Sequence, residues 1–131
     1  MNPKDADTPV GTWREEFSVE GEAKSGTLHF SRTGRAFILT GPANGGSGSG
    51  TWTATGENTF SYRIAERIVD VATGIYVGWV DIDHQAVQQG DSFTSTGVSR
   101  IYDADDALVL SVEMKAEGTR VEIVERPPLI L

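Results

Sequence analysis

Apolar and polar residues alternate with a period of two along most of the chain. The alternating runs are bounded by glycine, and helical spacing of apolar residues is scarce. The pattern predicts eight strands, over Gly11–Glu20, Gly26–Ser31, Arg35–Leu39, Gly50–Ala54, Thr59–Arg67, Gly74–Ala86, Ser92–Tyr102 and Ala107–Val121. The connections are short, and turn-forming residues mark them: Glu20-Gly21-Glu22, Thr33-Gly34, Gly56-Glu57-Asn58, Gln89-Gly90-Asp91 and Asp103-Ala104-Asp105-Asp106. Consecutive strands on tight turns predict an all-β, antiparallel up-and-down meander. At eight strands it closes into a barrel, which removes its bare edges and leaves a central cavity just wide enough for one small ligand.

Parity along each strand assigns the lumen. Trp13, Glu15 and Phe17 share one face, as do Phe60, Tyr62, Ile64 and Glu66, then Phe93, Ser95, Gly97, Ser99 and Ile101, then Leu108, Leu110, Val112, Met114 and Ala116. These sets are expected inside. For the sixth strand, Tyr76, Gly78, Val80, Ile82 and His84 are preferred inside because the opposite face carries Asp81 and Asp83. The barrel is expected over residues 10–124, between a flexible N-terminal segment, 1–9, and a tail, 125–131. The two prolines of that tail bar a strand, and its apolar end would cover the barrel floor or cross to a second subunit. Gly41 to Ser49 reads as a glycine-rich loop, either a lid over the mouth or a plain surface turn.

Composition narrows the function classes. A chain of 131 residues with 38% hydrophobic content fills one core and leaves no room for a second domain. The net charge of −8, with no Lys/Arg cluster, argues against nucleic acid and anionic membranes as partners. No cysteine is present for a disulfide, a thiolate nucleophile or a thiolate metal site. Neither histidine, His29 or His84, has a partner at ligand spacing, so no metal and no cofactor is expected. Residues 1–10 lack a secretory pattern and no run is long and apolar enough to span a bilayer, which points to the cytoplasm. Outward Trp79, Val98, Tyr102 and Val109 would suit a homodimer face.

Gly11-Thr12-Trp13 opens the first strand and Gly118-Thr119-Arg120 closes the last. The pair resembles the pattern of the calycin (lipocalin-like) superfamily, in which an N-terminal Gly-x-Trp packs beneath a C-terminal arginine. A guanidinium on an indole face closes the narrow end of a barrel, so the resemblance implies structural roles for Trp13 and Arg120. Fatty-acid-binding proteins share the opening motif, but their helical pair after the first strand is replaced here by the Glu20-Gly21-Glu22 turn. In architecture alone, the chain is similar to small barrel cyclases of bacterial polyketide pathways, including spiro-forming Diels–Alderases, and to allene oxide cyclase barrels. No catalytic motif of theirs maps onto these residues.

Chemistry in such a lumen would fall to a few polar groups. Glu15 is the most informative, since a buried carboxylate is costly unless paired, with Arg120 for example, or used as a general acid or base. Tyr62 and Tyr76 are expected to orient a substrate carbonyl, which with Glu15 completes the candidate catalytic set. Trp52, Phe17, Phe60, Phe93, Met114, His84 and Ser95 are expected to line the ligand site, and Glu66, at a strand end, to be a solvated rim residue. These residues support a cofactor-free cyclase or isomerase, of [4+2] type for instance, that folds an apolar polyketide-like substrate. A non-catalytic carrier of a hydrophobic small molecule is the alternative, and a protein–protein adaptor with a filled lumen is a third reading.

Overall fold

The computed structural model describes residues 8–19, 21–40 and 46–122, with nothing of the Glu122 side chain. Eight strands form: β1 (Gly11–Val19), β2 (Glu22–Phe30), β3 (Arg35–Leu39), β4 (Gly46–Ala54), β5 (Thr59–Val69), β6 (Tyr76–Gln89), β7 (Ser92–Asp103) and β8 (Leu108–Glu122). Each pairs antiparallel with its sequence neighbour, and β1 pairs with β8 to close the barrel. The chain is all-β, as the alternation predicts. Among the described residues no helix is long and apolar enough to cross a membrane.

The glycine-rich stretch departs from its expected role. Gly46 to Ser49 is not lid or loop but the start of β4, paired with both Leu39 to Phe37 and Ile68 to Ala65. Glycine serves close approach here rather than flexibility. A Cβ on Gly48 would land on the Ala65 carbonyl, and one on Gly50 on the Arg63 carbonyl, so only glycine lets β4 run this near β5. Residues 41–45 of the expected lid, and the tail at 125–131, lie outside the described residues.

One end of the barrel is closed by aromatic packing and by the incoming chain. Trp13, fully buried, donates its indole N–H to the Pro9 carbonyl at 2.8 Å, and the Arg120 guanidinium lies 4.4 Å from its ring centroid. Arg120 also donates to the carbonyls of Thr8, at 2.8 Å, and Val10, and to Asp91 at 2.9 Å. It therefore forms no salt bridge with Glu15, and it fixes Thr8 and Pro9 as part of the floor rather than of a flexible lead-in. Phe93 meets Trp13 edge-on at 4.9 Å, and above it the rings of Phe30, Phe60, Tyr62 and Phe93 meet edge to face or tilted, at 5.3 to 6.5 Å between centroids. The lower half of the lumen is thus solid.

The mouth end is built differently. β1 pairs with β8 only from Thr12 to Phe17, so β8 residues Leu108–Lys115 have β7 as their one described strand partner. β5 to β8 form a high wall and β1 to β4 a low one. Leu108, expected inside, is 56% exposed and Leu110 is 46% exposed, because the inward face of β8 rises past the rim there. Tyr76 also leaves the lumen. A bulge makes Ile68 face Gly78 and Val69 face Tyr76, with Val77 as the extra residue, and Gly78 adopts φ +148 where a Cβ would strike the Tyr102 carbonyl. The Tyr76 ring instead lies under the exposed Arg67 guanidinium, 4.8 Å away.

Candidate functional site

Between the aromatic floor and the open mouth lies a cavity of about 130 Å³, lined by residues from β1, β3, β5, β6, β7 and β8. Its wall is mainly apolar: Phe17, Val19, Ile38, Val80, Ile82, Ile101, Val112, Met114 and Ala116. Four polar residues interrupt it, Glu15, Glu66, His84 and Ser99. Strand parity places each of them, since all sit on unbroken inward runs of their strands.

Glu15 is the unusual group. It is 6% exposed, and no hydrogen bond or ion pair to its carboxyl is found among the described residues. Burial, reinforced by the charge of Glu66, raises its pKa from the ordinary 4.5 to about 8. At neutral pH it is therefore mostly a carboxylic acid, able to donate a hydrogen bond into the cavity. Glu66 is not the solvated rim residue that its position suggested. It is also 6% exposed, because β5 continues to Val69 and keeps Glu66 inside. Burial raises its pKa too, and the adjacent Thr40 hydroxyl opposes that rise. Gly46 makes the room: a Cβ there would land on both the Glu66 carboxyl and the Thr40 hydroxyl.

A buried polar chain runs under the cavity. The Tyr62 hydroxyl donates to Ser95 at 3.0 Å and lies 3.4 Å from His84 Nδ1, while His84 Nε2 is 3.4 Å from the Ser99 hydroxyl. Burial lowers the pKa of His84, against a smaller opposing effect from Asp83 on the other face of β6. His84 is therefore neutral at pH 7. Burial, then the nearby charge of Glu15, raises the pKa of Tyr62, and the Ser95 hydrogen bond works the other way. Tyr62 stays a phenol whose proton is committed to Ser95.

The expected site residues thus fall into three groups. Glu15, Phe17, Met114 and His84 border the cavity, and Tyr62 and Ser95 lie just beneath it. Phe60 and Phe93 belong to the packed floor, and Trp52 lies beside them, its indole N–H held by the Ser31 carbonyl at 2.7 Å and its ring edge-on to Phe30 and Phe60. Trp52 does not border the cavity. Tyr76 is remote from it, on the outer rim. Asp81 is separated from His84 by the wall, since its carboxylate faces outward to Arg63, at 2.9 and 3.0 Å, with Arg100 at 3.7 Å. These guanidinium groups, led by Arg63, hold its pKa below the ordinary carboxylate value. Among the described residues no group of three His, Asp or Glu side chains is placed to hold a metal ion.

Neither a protein-family model nor a curated protein sequence matches the chain. Among solved structures, it is similar to a redesigned β-barrel, at 17% identity over 90% of this chain and 96% of that one, with a TM-score of 0.57. At that identity the likeness shows a shared barrel fold and nothing of activity.

Proposed function

We propose that the chain is a calycin-like barrel acting as a cofactor-free acid catalyst, a cyclase or isomerase for a small, largely apolar molecule. The observation that carries this reading is the Glu15 carboxyl, buried without a partner in the wall of an apolar cavity open to the mouth. Holding an unpaired acid there disfavours folding at neutral pH, as the pH dependence below makes quantitative, and a ligand oxygen would supply the missing partner. A neutral acid can donate its proton to a carbonyl or similar oxygen as charge develops, in a setting of low dielectric where that interaction is strongest. The walls restrict the bound molecule to few conformers, which lowers the barrier to ring closure further.

Size constrains the substrate. A cavity of about 130 Å³ is close to that of engineered protein cavities that hold benzene, about 150 Å³. A polyketide-like substrate would therefore insert a ring-sized reacting end and lay the rest against Leu108, Leu110 and the exposed Val71 and Ile75 at the mouth. A carrier would use the same apolar wall, and Glu15 separates the two readings.

Tryptophan fluorescence is a poor reporter, since no tryptophan borders the cavity. Met114 does, and the only other methionine is Met1, so methyl-labelled methionine offers a simple NMR probe. Cyclohexanone is expected to shift the Met114 methyl saturably and to exchange its α-hydrogens with D₂O faster than in buffer. Glu15→Gln is expected to lose this exchange by about 10²-fold or more while affinity changes far less. Binding without exchange in the wild type would favour the carrier, and an unmoved Met114 would remove the cavity as a ligand site.

A further inference from the structure

Among the described residues the cavity carries two acid side chains and no cation to match them. Glu15 on β1 and Glu66 on β5 both line the cavity, and each is 94% buried by the same 6% exposure. No lysine or arginine is among the lining residues. The other titratable groups facing this space are the Tyr62 phenol on β5 and the His84 imidazole on β6, and neither brings a positive charge at neutral pH. From β3, β7 and β8 come only apolar side chains and the Ser99 hydroxyl.

Such a site discriminates by charge. An anionic ligand would meet two carboxyls in a medium of low dielectric and be repelled. A neutral oxygen could accept from one protonated carboxyl and leave the second idle. A primary ammonium brings the countercharge that the cavity lacks, and its three N–H donors suit the acceptors present: a carboxylate, the Ser99 hydroxyl and a ring nitrogen of His84.

We infer that the cavity takes a small apolar molecule bearing a primary amine, its ammonium paired with Glu66 and its hydrocarbon body against Phe17, Ile82 and Met114. This rests on the reading of the cavity as a ligand site and names the class of molecule that enters it. Glu66 is the partner because the Thr40 hydroxyl already supports its ionised form, while the charge of Glu66 disfavours ionisation of Glu15. Glu15 then keeps its proton and remains the acid of the reaction.

Calorimetry of the whole protein with benzylamine and with benzyl alcohol tests this, at pH 7. Benzylamine is expected to bind at least about tenfold more tightly than the alcohol. Glu66→Gln, nearly isosteric, is expected to abolish the preference while leaving alcohol binding in place. Equal or tighter binding of the alcohol, or a preference for the amine that Glu66→Gln leaves intact, would overturn the inference and leave the cavity reading standing. If neither compound binds or moves the Met114 methyl, the cavity is no ligand site and both readings fall. The comparison of amine with alcohol comes from the wild-type protein and does not depend on how the variant folds.

Discussion

Replacing Glu15 by glutamine should make the protein more stable at alkaline pH, by an amount that grows with pH. The folded-state pKa lies near 8 and the ordinary value is 4.5. A carboxyl raised in this way keeps its proton in the folded chain after the unfolded chain has released it. Its contribution to stability is thus complete at low pH and is lost as pH rises from the unfolded value through the folded one. At about 1.4 kcal/mol per pH unit the full loss approaches about 5 kcal/mol, of which roughly 3 kcal/mol falls between pH 5 and pH 8. His84 works in the opposite sense, since its lowered pKa makes folding more favourable as pH rises. Asp81, held low by Arg63, contributes a stability that is lost only in acid. Both effects are common to wild type and variant and cancel in the difference. Urea unfolding followed by far-UV circular dichroism at several pH values from 5 to 8 gives that difference directly. The variant curve is expected to gain roughly 3 kcal/mol on the wild type across this range. Parallel curves, with the variant less stable by a constant amount, would mean that Glu15 is ionised and paired when folded, and the reasoning would fail.

Other expectations follow from the same contacts. Gly46→Ala displaces side chains alone, the Glu66 carboxyl and the Thr40 hydroxyl, and should cost about 1 to 2 kcal/mol while shrinking the ligand response at Met114, whereas Gly50→Ala meets the Arg63 carbonyl of the ladder and should cost about 3 kcal/mol or more. Arg120→Lys loses the stacking on Trp13 and the forked donors to the Thr8 and Val10 carbonyls, and thermal unfolding should show a loss of about 2 kcal/mol. Tyr62→Phe leaves Ser95 without its donor and should cost about 1 to 2 kcal/mol, with little change in ligand affinity if the phenol is structural.

Much of this fold is legible in the sequence because a barrel strand states its inner face by parity. Trp13-x-Glu15-x-Phe17 and Phe60-x-Tyr62-x-Ile64 are assigned correctly from alternation, and the Trp13–Arg120 stack is what the resemblance of Gly11-Thr12-Trp13 and Gly118-Thr119-Arg120 to the calycin pattern implies. Parity fails where the ladder is irregular. The bulge at Val77 turns Tyr76 outward, and nothing in the local residue types marks it except Gly78, whose backbone no other residue adopts readily. Composition misleads at Gly46 to Ser49, where glycine suggested a loop and close strand approach was the reason. Parity with Tyr62 and Ile64 puts Glu66 on the inward face, and only its place near the predicted strand end at Arg67, two residues short of Val69, makes it read as a solvated rim residue. How deep a residue sits is not legible at all, which is why Phe60, Phe93 and Trp52 were expected at the ligand and instead build the floor.

The most direct measurement is an NMR titration of the glutamate carboxyl carbons in wild type and Glu15→Gln, from pH 4 to pH 9. The signal missing from the variant is expected to titrate near pH 8 and to shift when benzylamine is added. If every glutamate carboxyl titrates in the ordinary range near pH 4, there is no neutral acid in the lumen, and the catalytic reading built on Glu15 is wrong.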